Sequence, residues 1–390
     1  MPELPEVETI ARDLRGMVAG VRIVGMSSNW PPTLRSHDPG AFADAVIGRE
    51  IEGVGRRGKQ LLVWLSPRLE ALATPAPPAA PATLAVPATP AAPATRATPA
   101  TLAALDPAVM TIHLKMTGQL FVVPAGTPQD RHVHVVLSLS DGRELRFRDM
   151  RKFGRIGLYR RDHASGLPVD GEAPGVLARG EEPLSDDFTP ERFSDLLARR
   201  RGRLKTLLMN QDFLAGVGNI YADEALWRAR LHPLRDAHSL RPDDMRRLHS
   251  SLRDVLAEAV ERRGSSVDDY TAPDGDGSMQ EHLQVYQRAG EACDRCGRPI
   301  KRIVVGGRST HFCSWCQRLP AEQRRAAARL LHGAGSGGGN RGGRGPRWTE
   351  LSGRRVLGRT PDEEARADRI AATRKAAATR RAQARSGGIA

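Results

Sequence analysis

The stretch CDRCGRPIKRIVVGGRSTHFCSWC, residues 293–316, decides how the rest of the chain is read. It holds all four cysteines of the protein, as two C-x-x-C pairs with sixteen residues between them. That spacing delivers four thiolates to one tetrahedral Zn2+, unlike the scattered cysteines of a disulfide framework. Between the pairs, RIVV and RSTHF read as short strands joined at Gly306-Gly307, a two-residue hairpin. A hairpin of this size cannot fold alone, so the metal ties it down. The competing reading, a redox pair, leaves two matched pairs around a hairpin unexplained. With Cys293, Cys296, Cys313 and Cys316 filling every position, one structural zinc ion is expected, closed to substrate. Of the basic residues here, Arg298, Lys301 and Arg302 read as a solvated face. Arg308, just past the turn, is the one expected to act.

Upstream, from about Pro190, the pattern is helical, in RFSDLLARR, RLKTLLMNQDFL, IYADEALWRARL and DDMRRLHSSLRDVLAEAVERR. Within it, DFLAGVGNIYADEALW (212–227) places Gly216 and Gly218 around a tight turn, with Asn219 as N-cap of a helix beginning at Ile220. A glycine turn into a helix N-terminus presents backbone N–H groups and suits a phosphate. An ordinary packing turn between helices fits the same residues equally well. Lys205, at the start of the preceding helix, is placed to add a cation beside that phosphate.

Before the helices come β-like runs: VRIVGMS, EIEGVGRRGKQLLVWLS, VMTIHLKMTGQLFVV, HVHVVLSLSDGRELRFR and RIGLYR. Gly- and Asp-Gly-containing turns between them point to a sandwich or barrel. The chain start, PEVETIARDLRGMVAG, sets Val7, Ile10, Leu14 and Met17 on one helical face and stops at Gly20. The expected class is therefore α+β: an N-terminal β-sandwich with flanking helices, then a helical domain with a four-cysteine hairpin. Domain bounds are read at 1–190, 191–290, 291–320 and 321–390. A proline- and alanine-rich insertion, 69–108, reads as disordered between two strands.

Lys and Arg outnumber Asp and Glu by 59 to 45 over 390 residues, a net charge of +14. Residues 321–390 alone hold 16 Lys/Arg and 6 Asp/Glu, so the body is mildly basic and the tail, read as unstructured, strongly so. Such charge attracts a polyanion. No apolar run approaches the roughly 18–20 residues of a membrane span, and the acidic start is opposite to a signal peptide. A cytoplasmic protein is expected, with no membrane partner and no second chain required.

Six stretches now line up in order: MPELPEVET, RRGKQLL (56–62), IHLKMTG (112–118), DMRKFG (149–154), GVGNIYADEAL and GGRSTHFCSWCQ. Together they resemble the formamidopyrimidine-DNA glycosylases, bacterial base-excision repair enzymes related to the endonuclease VIII type. The resemblance spans roughly 1–66 and 109–320 and implies a helix-two-turn-helix domain followed by the zinc finger. It implies a partner, double-stranded DNA with oxidised or abasic sites, and a bifunctional glycosylase/AP lyase acting on 8-oxoguanine and formamidopyrimidines.

It also gives the acidic chain start a role. Removal of Met1 leaves Pro2 with a free secondary amine, which titrates far below a lysine and attacks the sugar C1′. By resemblance Pro2 is the nucleophile and Glu3 the proton shuttle, with Glu6 supporting. A Pro-Glu helix start with capping acids explains the same residues structurally. Lys59 matches the lysine beside the lesion phosphate, and Glu224 a carboxylate near the site, where a helix-dipole role competes. A base must leave the stack to be reached, so something fills the gap. Met116 and Arg151 are implied as void fillers and Phe153 as the wedge, although strand periodicity alone makes Met116 and Phe153 core. Lys115, Met150 and Lys152 depart from the family pattern. The segment 264–282 matches the loop that covers the flipped base. Three rival functions remain: an endonuclease VIII-like enzyme for oxidised pyrimidines, a non-catalytic damaged-DNA binder, and a zinc protein whose tail merely coats nucleic acid.

Overall fold

The computed structural model describes residues 2–35, 38–67, 107–265 and 277–332. Helix α1 (Leu4–Val18) carries Pro5 in its first turn, where a missing N–H costs nothing, and buries Val7, Ile10 and Leu14 along one face. Strands β1 (Ile23–Ser28) and β2 (Leu34–Arg35) and helix α2 (Pro39–Val46), capped by the Asp38 side chain, follow. Next come β3 (Ile51–Arg57), β4 (Gln60–Leu65), β5 (Ala108–His113), β6 (Gly118–Pro124), β7 (Val133–Leu139), β8 (Arg143–Asp149) and β9 (Arg155–Arg160).

They form two sheets, ordered β1-β7-β8-β6 and β2-β9-β5-β4-β3. Inward residues of both, among them Leu137, Leu145 and Phe147 on one and Val54, Val63, Met110 and Leu158 on the other, share one core with α1 and α2. This is a sandwich, one of the two forms expected from the strand pattern. β3 and β4 are joined by Gly58-Lys59, with Arg57 paired to Gln60 and Gly58 at φ +57°. That turn lifts Lys59 out of the sheet toward the helical half.

The helical half holds α3 (Pro190–Ala198), α4 (Leu204–Leu208), α5 (Asn219–Arg228) and α6 (Pro242–Glu261) around Phe193, Phe213, Tyr221, Leu252 and Leu256. The helix expected over 203–214 closes after five residues. Gln211 explains this: its side-chain amide donates to the Val217 carbonyl and accepts from Gly216 N–H, folding the chain into the glycine turn.

The hairpin is β10 (Lys301–Val305) paired with β11 (Arg308–Phe312). Beyond it the structure corrects the sequence reading. The basic tail starts with an ordered helix, α7 (Ala321–His332), where composition predicts an unstructured segment from 321. Leu319, Ala327, Leu330 and Leu331 recur at helical spacing and close over Ile303, Val305 and Phe312 of the hairpin. The proline-rich stretch lies outside the described residues except Pro107 and Ala108, the latter already in β5. Most of the loop read as base-covering, and the tail past 332, also lie outside them.

Candidate active site

Between the two halves is a cavity of about 290 Å3. Its walls bring together Pro2, Glu3, Glu6, Lys59, Met116, Asn219 and Arg308, from five separate segments of the chain, with Gln211, Ser265 and Tyr286 among the other lining residues. Glu3 is its buried centre. The carboxylate accepts from Ile220 N–H (2.9 Å) and Tyr221 N–H (3.4 Å), the first free donors of α5. The phosphate expected at that helix N-terminus is thus displaced by a carboxylate of this chain, because an anion from residue 3 already satisfies the same donors. Asn219 is correspondingly not the N-cap; Gly218 is, and Asn219 is the first helical residue. The Asn219 Oδ1 is buried at the cavity wall without a hydrogen-bond partner among the described residues.

Burial pushes the Glu3 carboxyl above its ordinary range, and Glu6 adds to the effect; Lys59 and the two α5 N–H groups oppose it. Burial equally depresses Lys59, helped by Arg308 and opposed by Glu3 and Glu6. The pair therefore favours neutral forms more than either group would in water. Glu6 stands behind it, accepting from Glu3 N–H (2.8 Å), the Tyr221 hydroxyl (2.6 Å) and Ser265 N–H (2.8 Å). An acid at helix position N3 returning to the N-cap is a recognisable sequence signal, and here it orients the proton shuttle. Sequence reasoning missed Glu182, whose carboxylate accepts from Gly58 N–H and pairs with Arg56 and Arg57, fixing the Lys59 turn. It sits in a loop with no periodicity, and nothing nearby marks it.

The expected DNA-contacting tips converge on a buried carboxylate, Asp149. It accepts from Thr117 Oγ1, Arg151 N–H (3.1 Å) and Gly154 N–H (2.7 Å), tying the turn after β5 to the turn after β8. On those turns Met116 and Phe153 are 37% and 48% exposed, so they are tips and not core. The Arg151 guanidinium lies 5.3 Å over the Phe153 ring. Lys115 and Lys152, two of the family departures, adopt φ of +55° and +58°, a left-handed backbone that side chains other than glycine seldom take. The Lys152 ammonium sits 3.9 Å over the Trp30 ring and steadies its turn. Asp149 opens DMRKFG without drawing attention in the sequence, although an aspartate opening a turn is a usable signal. His113 escapes notice there too. Its Nδ1 accepts from Lys115 N–H, and burial, Lys115, Lys59 and Arg35 depress it to about 3, so it stays neutral.

Two expected site residues lie elsewhere. Lys205 is fully buried and paired with Asp223, so it offers no cation to a phosphate. A buried lysine needs a carboxylate, and the next turn of α5 supplies one. Glu224 does not line the cavity. It accepts from Gln284, Val285 and Tyr286 N–H at 2.8–2.9 Å, holding the strap that brings Tyr286 to the wall.

The four cysteine sulfurs lie within 4.8 Å of one another, with Cys293 to Cys316 at 4.0 Å and Cys296 to Cys313 at 3.5 Å. Zinc–sulfur bonds of about 2.3 Å in a tetrahedron place sulfurs about 3.8 Å apart, so the residues fit the ion. Gln317 accepts from Cys313 N–H and donates to the Leu231 carbonyl, joining the knuckle to the helical half.

A sandwich and a helical unit meeting at a cleft, with cationic tips on one side and a zinc hairpin on the other, define a DNA-processing enzyme. Three family models match in succession: the formamidopyrimidine-DNA glycosylase N-terminal domain over residues 1–156, its H2TH domain over 179–271, and the zinc finger found in FPG and IleRS over 290–319. A formamidopyrimidine-DNA glycosylase of Herpetosiphon aurantiacus is 41% identical over 319 residues, 81% of this chain and 100% of that protein. Structures of Lactococcus lactis Fpg, one with N7-benzyl-Fapy-dG DNA and one with abasic-site DNA, are each 30% identical with TM-score 0.65. They cover 82% and 81% of this chain and all of theirs. The chain belongs to the formamidopyrimidine-DNA glycosylase family.

Proposed function

We propose that the chain excises oxidised purines, 8-oxoguanine and formamidopyrimidines, from duplex DNA and then cleaves the resulting abasic site. One observation carries this: Pro2 lines a cavity whose other wall is a buried, proton-retaining Glu3. The Pro2 amine, freed of Met1, forms a bond to C1′ while the bond from C1′ to the base nitrogen breaks. Glu3 supplies the proton to the sugar oxygen or the departing base. Loss of the amine proton and cleavage of the C1′–O4′ bond, with the released O4′ taking up a proton, open the sugar and leave an iminium at C1′; it acidifies the C2′ proton, whose loss expels the 3′ phosphate, and a further elimination expels the 5′ phosphate. Lys59 and Arg308 sit on the same wall to hold a lesion phosphate, with Asn219 offering its amide. Met116, Arg151 and Phe153 occupy the gap left by the extruded nucleotide. Zinc holds the hairpin and takes no part in the chemistry.

The lesion class rests on those Lactococcus complexes together with the paired Arg151 and Phe153 tips. Such an enzyme works on chromosomal DNA in the cytoplasm. We divide it at 190 and 290, with the finger unit extended through α7 to 332.

Borohydride trapping on a duplex with one 8-oxoguanine opposite cytosine tests this, the adduct being mapped by peptide mass. The expected result is a covalent link at Pro2. Glu3→Gln should slow base release by about 10²–10⁴-fold, since one positioned acid is worth that much. An adduct only with an oxidised pyrimidine would overturn the substrate; none even with an abasic site would overturn the chemistry.

A further inference from the structure

At the far end of the zinc hairpin lies a second concavity, of about 480 Å3, lined by Trp315, Arg318, Lys301, Arg324, Leu319 and Leu331 among others. It is remote from the cleft. Arg308 at the tip of β11 lines the active-site cavity, whereas Phe312 at its base lines this one, about 13 Å away along the strand. We propose that this concavity is a docking site for an acidic peptide segment of a partner protein, one carrying an apolar side chain among its carboxylates.

Three observations point to that chemistry. The first is the rim. Lys301, Arg318 and Arg324 ring the opening, and among the described residues no carboxylate pairs with them. Unneutralised cations around a concave wall attract an anion and orient it.

The second is the floor. Leu319, Leu331 and Phe312 make it apolar, which a phosphate backbone does not require and an aliphatic or aromatic side chain does.

The third is Trp315. Its ring is 48% exposed, yet the guanidiniums of Arg298 and Arg318 lie 3.5 and 4.1 Å from its centroid. Two cations thus already lie against the ring. A nucleobase stacking there would have to compete with them, which weakens the usual anchor of a single strand. The exposed part of the ring walls the pocket for an inserted side chain. A fixed tryptophan beside arginine is the composition of an interface hot spot.

The test uses the full-length, zinc-loaded chain and an array of acidic peptides, each with one leucine, isoleucine, phenylalanine or tryptophan among aspartates. Fluorescence anisotropy of the best binder measures affinity for the wild type, Lys301→Glu and Trp315→Ala. Zinc content and the rate on 8-oxoguanine duplex report folding. We expect each substitution to weaken the peptide at least about tenfold, with zinc content and glycosylase rate unchanged. Replacing the apolar residue of the peptide by serine should cost a similar factor. Three results overturn the proposal: no array member binds, Lys301→Glu binds as tightly as wild type, or an undamaged oligonucleotide displaces the peptide. If Trp315→Ala loses zinc, Lys301→Glu, half-buried at the foot of the hairpin and apart from the cysteines, decides alone.

Discussion

At Gly218 the Cβ that any other residue carries would stand 2.5 Å from the Glu3 Oε1. Alanine there pushes the carboxylate off the α5 N-terminus while leaving the core of either half untouched. Gly218→Ala should lower the excision rate by about 10²-fold, the usual cost of misplacing a reacting group by an ångström. The melting temperature should fall only about 2–4 °C, as for loss of a helix cap. A rate within twofold of wild type, read with single-turnover kinetics, would detach Glu3 from the chemistry. The pH profile tests the electrostatics separately. If Glu3 is the proton donor proposed above, base release should fall as pH rises through its raised pKa. Glu6 contributes to that rise. Glu6→Gln removes a negative charge, eases ionisation of Glu3, and should move the alkaline limb to lower pH; a shift the other way would refute the assignment. At this scale the sequence is informative where a motif is short and local, as at Pro2 and Glu3. It fails at Lys205 and Glu224, whose polar partners come from Asp223 and from the 284–286 backbone, and spacing along the chain says nothing of them.

Between residue and molecule stands the pair of turns held by Asp149. Each turn is short and glycine-flanked, and alone each would sample many conformations. The shared carboxylate gives both one geometry, so Met116, Arg151 and Phe153 face the same way. Asp149→Ala leaves the buried N–H of Gly154 without its acceptor, a loss of about 1–3 kcal/mol, and cuts the tie from Thr117 Oγ1 to the second turn, while Arg151 N–H keeps Thr117 Oγ1 as acceptor. The expected outcome, measured by gel shift, is lesion-duplex affinity weakened about tenfold, with the zinc site intact. Affinity equal to wild type would show the turns to be rigid without the tie. Every strand run announced by the β pattern is present, because a short apolar run bounded by turn residues marks a strand even where, as in β4, β5 and β7, nearly every residue is buried. α7 is hidden by composition. Its arginines and alanines read as solvated tail, and only the hairpin it covers reveals Ala327, Leu330 and Leu331 as an apolar face.

On the scale of the whole chain, the charge is unevenly spread about residue 332. Past it remain 13 Lys/Arg and 5 Asp/Glu, a basic segment with a polyanionic substrate nearby. Truncation after 332 should flatten the salt dependence of DNA binding by about 0.9 in log–log slope for every phosphate the tail had neutralised, with single-turnover rates unchanged. Truncation after 320 removes α7 as well and should destabilise the zinc hairpin; equal stability of the two products would contradict the packing.

The docking of the chain start onto α5 also sets a schedule. Glu3 meets Ile220 across 217 residues of sequence, and Leu4 N–H meets the Gly216 carbonyl beside it. At about 5–20 residues per second of synthesis, the first residues wait roughly 10–40 s for the partner that buries them. During that interval the amino end is open to an aminopeptidase; afterwards Pro2 is enclosed. If Pro2 is the nucleophile proposed above, trimming of Met1 belongs to the nascent chain, and a protein that leaves the ribosome with its methionine in place, or with a tag in front of it, has passed the moment at which that amine is made.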